Sequence, residues 1–167
     1  MTTQLKSSIL FVQDLKQSRD FYENLIGLEV EMDFGPNVGY VGGFAIWQVD
    51  HAHQCIFGQA RYGSSQMGQS NCELYFEADE LDVVWKKLSS KVRVVHPIME
   101  QPWGQRVFRV YDPDGHIVEF GEPIPVFVRR FLDRGMSIED TAKRTGLPVP
   151  AVQAMADGKM PVNGSMN

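Results

Sequence analysis

Two cysteines, Cys55 and Cys72, are too few in a chain of 167 residues to build a disulfide framework. Long apolar runs are missing as well: nothing approaches the roughly 20 residues that a membrane-spanning helix needs. The N-terminal Met-Thr-Thr-Gln-Leu-Lys-Ser-Ser has neither the apolar core nor the small-residue cleavage site of a signal peptide. These absences lead us to expect a soluble, cytoplasmic protein with no membrane partner. Positive charge is also in short supply, with 16 Lys and Arg against 21 Asp and Glu and a net charge of -5, which argues against bulk affinity for nucleic acid. No glycine-rich phosphate cradle precedes a helix. Neither cysteine has a base at a readable spacing, so a nucleophilic thiol is without support, and Cys72 reads as a small core residue on a strand.

What is present is a pattern that runs twice. Residues 5–13 alternate as a strand does, Asp14 stands where a helix cap belongs, and Leu15, Phe21, Tyr22 and Leu25 follow near helical spacing until Gly27. Strands are predicted over residues 28–34, 38–41 and 44–49, separated by Gly35-Pro36-Asn37 and Gly42-Gly43. After a short helix at 51–57 and a Gly/Ser-rich connection at 63–70, the order returns. It consists of a strand at 71–78, a helix capped by Asp79 that presents Leu81, Val84, Trp85 and Leu88, and a strand at 92–98. A hairpin of 106–111 and 116–121 around Asp112-Pro113-Asp114-Gly115 closes it. Pro113 presets one turn dihedral and Gly115 accepts positive φ, which fixes the face that Glu119 occupies. The expected fold class is α+β, built of paired βαβββ modules at about 5–50 and 71–122 within a domain of residues 1–123. A helical extension is expected over 124–157 and a frayed tail over 158–167, with Ser137 capping a helix at 138–145.

Three motifs carry a family resemblance. They are Val12-Gln13-Asp14-Leu15 with Phe21-Tyr22 and Leu25-Ile26-Gly27-Leu28; Leu74-Tyr75-Phe76-Glu77-Ala78-Asp79; and Trp103-Gly104-Gln105 leading to Asp112-Pro113-Asp114-Gly115 and Glu119. In this order and spacing the chain resembles the vicinal-oxygen-chelate superfamily, which includes glyoxalase I, extradiol dioxygenases, methylmalonyl-CoA epimerase and the fosfomycin- and bleomycin-resistance proteins. The resemblance implies modules that curl into a half-open barrel, a homodimer, and a small-molecule ligand or substrate. In metal-using members it implies ligands from the first and last strands of each module. Those positions fall on Ser7, Gln48, Glu73 and Glu119, with Trp47 the alternative to Gln48. Only Glu119 matches the family pattern; no imidazole stands at any of the four.

Glu73 and Glu119 are therefore the candidate catalytic pair and, with Gln48, the candidate metal ligands. Two carboxylates away from water need a compensating charge. A divalent cation (Mg, Mn, Ni or Fe), a pairing with Arg109, or a proton on one of them would each provide it, so the cofactor expectation is none or one divalent cation. Trp103, Tyr75, Phe11 and Trp47, with Arg109, are the candidate ligand-binding residues, and Trp103 is the strongest of these because scaffold gives little reason for a large ring in a Pro-Trp-Gly loop. His51 and His53 read as a solvated pair, and His96 and His116 as half-exposed structural histidines. Residues 135–148 resemble the start of a helix-turn-helix. The would-be reading helix at 149–156 has no Arg or Lys, so a packing or dimer-contact role is expected before nucleic-acid binding. Two functions remain open: a metal-free binder of an aromatic or carbonyl-containing molecule, and a metal-dependent lyase or isomerase of glyoxalase I type, with a dioxygenase less favoured.

Overall fold

The computed structural model describes residues 3–59 and 67–159. Residues 63–66 of the Gly/Ser-rich connection and 160–167 of the tail expected from the sequence lie outside these residues. Two units result, one formed by residues up to Glu73 with Tyr111–Ile117, the other by Leu74–Val110 with the residues from Val118 on.

The first unit carries β1 (Ser8–Val12), α1 (Leu15–Arg19), β2 (Val30–Asp33), β3 (Asn37–Tyr40), β4 (Phe44–Gln48) and α2 (Val49–Phe57). The strands form an open sheet in the order β1-β4-β3-β2, with β1 parallel to β4 and the other pairs antiparallel. Asp14 caps α1 as expected, its carboxylate accepting from the Gln17 backbone N–H at 3.0 Å. From Asp20 to Ile26 the helix widens into π geometry, which the spacing does not reveal, and it ends on Gly27 at φ 100°. The widened turn presents Tyr22, fully buried, whose ring meets Phe44 edge-on at 5.1 Å. Leu10, Val12, Val38 and Ile46 line the same buried face of the sheet.

Asp112 explains why the Asp-Pro-Asp-Gly turn belongs to this unit. It is buried, and its Oδ1 accepts from the backbone N–H groups of Asp114 (3.0 Å) and His116 (2.8 Å). Its Oδ2 accepts from the Tyr22 hydroxyl at 2.8 Å and lies 3.0 Å from His116 Nδ1. Asp114 in turn accepts from the Gln13 backbone N–H at 3.2 Å. His116 is therefore a buried partner of Asp112, which corrects the half-exposed reading. His53 is corrected likewise: it is buried and packs edge-on against Phe11, while His51 stays exposed.

The second unit repeats the topology with β5 (Glu73–Glu77), α3 (Leu81–Leu88), β6 (Val94–Glu100), β7 (Arg106–Tyr111) and β8 (Ile117–Gly121), in the sheet order β5-β8-β7-β6. Position for position this is the order of the first sheet, so the repeated pattern in the sequence is a repeated fold. On one face Phe108 stacks on Phe120 (5.0 Å), Phe120 on Phe76 (5.6 Å), and Trp85 of α3 meets Phe108 edge-on (5.1 Å). Each such pair adds about 0.5–1.5 kcal/mol beyond area burial. Two details differ from expectation. Glu80, not Asp79, precedes α3 as its cap and makes no side-chain capping bond; Cys72 lies before β5 and is exposed, so it fills no core.

Three helices follow in the same unit: α4 (Ile124–Asp133), α5 (Ile138–Thr145) and α6 (Val149–Ala156). Ser137 caps α5 by accepting from the Asp140 N–H at 3.0 Å, and Gly146 ends it in the left-handed region. Phe127, Val128 and Phe131 of α4 share a small core with Ala142, Val152 and Met155. No helix among the described residues is long and apolar enough to cross a membrane.

Candidate functional site

The aromatic stack lies on one face of the second sheet, so strand alternation sends Glu73, Tyr75 and Glu77 of β5, Glu119 and Gly121 of β8, and Arg109 of β7 to the other face. Contacts agree with this placement. A Cβ on Gly121 would stand 2.9 Å from the Tyr75 ring and 2.8 Å from Gln105 Nε2, so the missing side chain is what lets Tyr75 and Gln105 lie over β8. His96 of β6 pairs across the ladder with Arg109, and its Nε2 lies 3.1 Å from an Arg109 guanidinium nitrogen.

Glu119 is buried, and the guanidinium of Arg109 pairs with it. Of the three ways of compensating its charge, this is the one built into the sheet. Glu73 stands at the exposed head of β5, so the two candidate carboxylates do not share dry surroundings. Around the sheet edge runs a hydrogen-bonded chain. The Trp103 indole N–H donates to Gln105 Oε1 (3.1 Å), and Gln105 Nε2 donates to the Tyr75 hydroxyl (2.9 Å) and to the Glu122 carbonyl (2.8 Å). The chain holds two large rings at the surface, Trp103 at 44% and Tyr75 at 48% exposure. Partial burial first, then the charges on Glu77 and Glu119, push the Tyr75 phenol above its ordinary range, so it stays a neutral donor and acceptor at neutral pH.

Of the sequence candidates, Trp103, Tyr75, Arg109 and Glu119 thus meet on the second sheet. Phe11 and Trp47 belong to the first, where their rings meet edge-on at 6.3 Å and the Trp47 indole donates to His51 Nδ1 at 2.8 Å. Gln48 is the cap of α2, its side-chain oxygen accepting from the His51 N–H at 3.2 Å. From the sequence Gln105 had no role and His96 only that of a half-exposed structural histidine. Gln105 sits within the Trp-Gly-Gln motif and was legible there; His96 owes its place to a ladder register that no local pattern discloses.

A divalent cation would need several of these oxygens free to turn toward it. Glu119 is committed to a guanidinium and the Gln48 oxygen to a helix N-terminus. Among the described residues no three His, Cys, Asp or Glu side chains gather as a metal requires. The donor set Glu73, Glu119 and Gln48 does not fit the metal.

The glyoxalase-like domain model matches residues 5–125. The chain belongs to the glyoxalase-like domain family. This places it in the vicinal-oxygen-chelate superfamily, with the α+β fold described above. A protein of unknown function from Agrobacterium tumefaciens str. C58 is 36% identical, with a TM-score of 0.70 over 74% of this chain and 97% of that one. At lower identity the fold alone is shared with a glyoxalase/bleomycin resistance protein/dioxygenase from Nocardioides (17%, TM-score 0.58, 73% and 84% covered). It is shared too with a lactoylglutathione lyase from Agrobacterium tumefaciens (23%, TM-score 0.56, 73% and 95% covered). No curated protein matches the chain. In this glyoxalase-like chain the family match stops at residue 125, where α4 has just begun.

Proposed function

We propose that this glyoxalase-like protein binds an uncharged, aromatic, carbonyl-containing small molecule on the open face of its second sheet, without a metal. The observation that supports this reading is the Trp103–Gln105–Tyr75 chain, which holds two rings half-exposed and in fixed orientation. A flat ligand stacks on such rings at little entropic cost, because neither ring needs ordering first. The Tyr75 hydroxyl and the Arg109 guanidinium provide donors for a carbonyl oxygen. Charge selects further: Glu73, Glu77 and Glu119 outnumber Arg109 on this face, which disfavours a carboxylate. Ion pairing of Glu119 with Arg109 opposes the lyase reading, because metal ligation and proton abstraction by Glu119 would each first have to break that pair.

The test is titration of the intact protein and of Trp103→Phe with acetophenone and with benzoate, read by isothermal titration calorimetry. Saturable binding of acetophenone that is weakened in Trp103→Phe, with benzoate binding the intact protein more weakly than acetophenone does, is the expected result. Equal binding to the variant, or binding that appears only when manganese or nickel is added, would overturn the reading. Restoration by metal would favour the lyase or isomerase with Glu119 and Glu73 as ligands.

A further inference from the structure

Trp103 and Gln105 sit on a tight loop, closed by the Gly104 N–H donating to the Gln101 carbonyl (2.8 Å) and the Gln101 N–H donating to the Gln105 carbonyl (2.7 Å). The outside of that loop is packed against α4. Arg130 donates from one guanidinium nitrogen to the Gly104 carbonyl at 2.6 Å and to Glu122 Oε2 at 2.9 Å, and from another to Glu100 at 3.1 Å. Glu122 is itself buried and receives the Arg106 backbone N–H at 3.1 Å, while its own carbonyl receives Gln105 Nε2. Gly104 lies at φ +96°, and a Cβ there would collide with the Phe131 ring. One arginine and one phenylalanine of α4 therefore fix both the polar and the apolar side of the residue between Pro-Trp and Gln.

The helix that provides them is braced in turn. Phe127, Val128 and Phe131 are its share of the core it makes with α5 and α6. Arg129 donates to the Met155 carbonyl at 3.0 Å, and Arg144 of α5 reaches Glu100 at 3.1 Å, the same carboxylate that Arg130 holds. All of these helices run beyond the family match, so the support under the Trp103 loop is an addition to the shared fold. The helix-turn-helix-like arrangement of α5 and α6 gains a use in this way without any basic reading helix.

We infer that the C-terminal helices position the ligand-binding loop, with Arg130 and Phe131 as positioning residues that hold Trp103 and Gln105 in their binding orientation. This inference rests on the proposed binding face. Losing the Arg130 clamp frees the loop without removing any group that touches the ligand, so the effect is on preorganisation. The full chain labelled with 5-fluorotryptophan reports three fluorine resonances, those of Trp47, Trp85 and Trp103, and Trp103→Phe assigns the third. In Arg130→Met the Trp103 signal shifts and broadens while that of Trp85, packed on Phe108, stays in place, and acetophenone binds about tenfold more weakly, as lost preorganisation implies. Arg130→Lys, which retains the charge but cannot serve Gly104 and Glu122 together, gives an intermediate position, and decides the matter if Arg130→Met fails to fold.

An unmoved Trp103 signal in both variants overturns the inference, even if Trp103→Phe abolishes binding. A moved signal accompanied by acetophenone binding that Trp103→Phe leaves intact keeps the positioning role and overturns the binding face instead.

Discussion

The two sheets of this protein have the same strand order and open faces of different chemistry. In the first, that face presents Ile9 at 47% exposure and Met32 at 51%, and a cavity of about 370 Å³ there is lined by Ser7, Asn37 and Gly39 as well as by these apolar groups. In the second, the corresponding face carries Arg109 paired with Glu119 and 3.1 Å from His96 Nε2, while Tyr75 on the same face is held by Gln105. A repeated βαβββ topology is satisfied by apolar alternation on the covered side alone. The open side is free to diverge, and the second copy carries there a buried carboxylate paired with a guanidinium. The anchoring differs as well: the first unit is pinned through neutral and acidic groups around Asp112, the second through arginines around Glu122.

The largest expected effect breaks the second anchor. Glu122→Ala removes a buried carboxylate and leaves Arg130 and the Arg106 N–H without it, at a cost of about 3–5 kcal/mol, read from urea denaturation of the whole chain. The matching change in the first anchor is milder. Tyr22→Phe deletes one donor to Asp112 while the two backbone N–H groups remain, so about 1–2 kcal/mol is lost. An equal loss in the two variants would show that the anchors are alike after all.

Titration should reach Tyr22 and Tyr40 of the first unit and Glu100 of the second from opposite ends of the pH scale. Burial first, and then Asp112, hold the Tyr22 phenol well above its ordinary 10.0, and burial with Glu23 does the same for Tyr40. The unfolded chain releases those protons earlier, so this stability is fully present below pH 10.0 and falls as pH rises beyond it. Half-exposed Tyr75 contributes less. Glu100 behaves conversely. Burial raises its carboxyl, but Arg130 and Arg144 outweigh that and hold it below its ordinary 4.5. Its contribution is present above 4.5 and is lost as pH falls through the folded value. Thermal melting against pH should therefore show an alkaline loss that Tyr22→Phe reduces and an acid loss that Glu100→Gln reduces.

Smaller effects sharpen the contrast between the open faces. Trp103→Ala should weaken acetophenone about tenfold, near 1.4 kcal/mol, whereas Trp47→Phe in the first sheet leaves the affinity unchanged. Loss in both would assign the ligand to both sheets. Smallest of all is the response to divalent cations: magnesium, manganese, nickel or iron(II) should not raise the melting temperature, and a rise abolished by Glu73→Ala would restore the metal reading.

Much of this was legible in the chain. The hairpin strand 106–111, the caps Asp14 and Ser137, the left-handed end at Gly27, and the repeated module order each follow from local preferences and periodicity, which act over a few residues. The wider turn at 20–26 was not legible, because helical spacing over seven residues scarcely separates the two geometries. His116 and His53 were misread for a related reason: a histidine at a turn or on a short helix has the same neighbours in sequence whether or not a distant element covers it. Within the candidate site the residue types were readable and their partners were not. Arg109 stood as one of three ways to compensate Glu119, and Gln105 stood in its motif without a role.

The sequence by itself determined the α+β class, the duplicated modules and the family, because each is written in periodic patterns and in turn residues close together in the chain. Tertiary structure alone decided that Arg109 compensates Glu119, that Gln105 joins Trp103 to Tyr75, and that Arg130 and Phe131 of the appended helix grip Gly104. These are pairings between residues brought together by ladder register and helix docking, and the short-range physics that shapes single elements does not specify them.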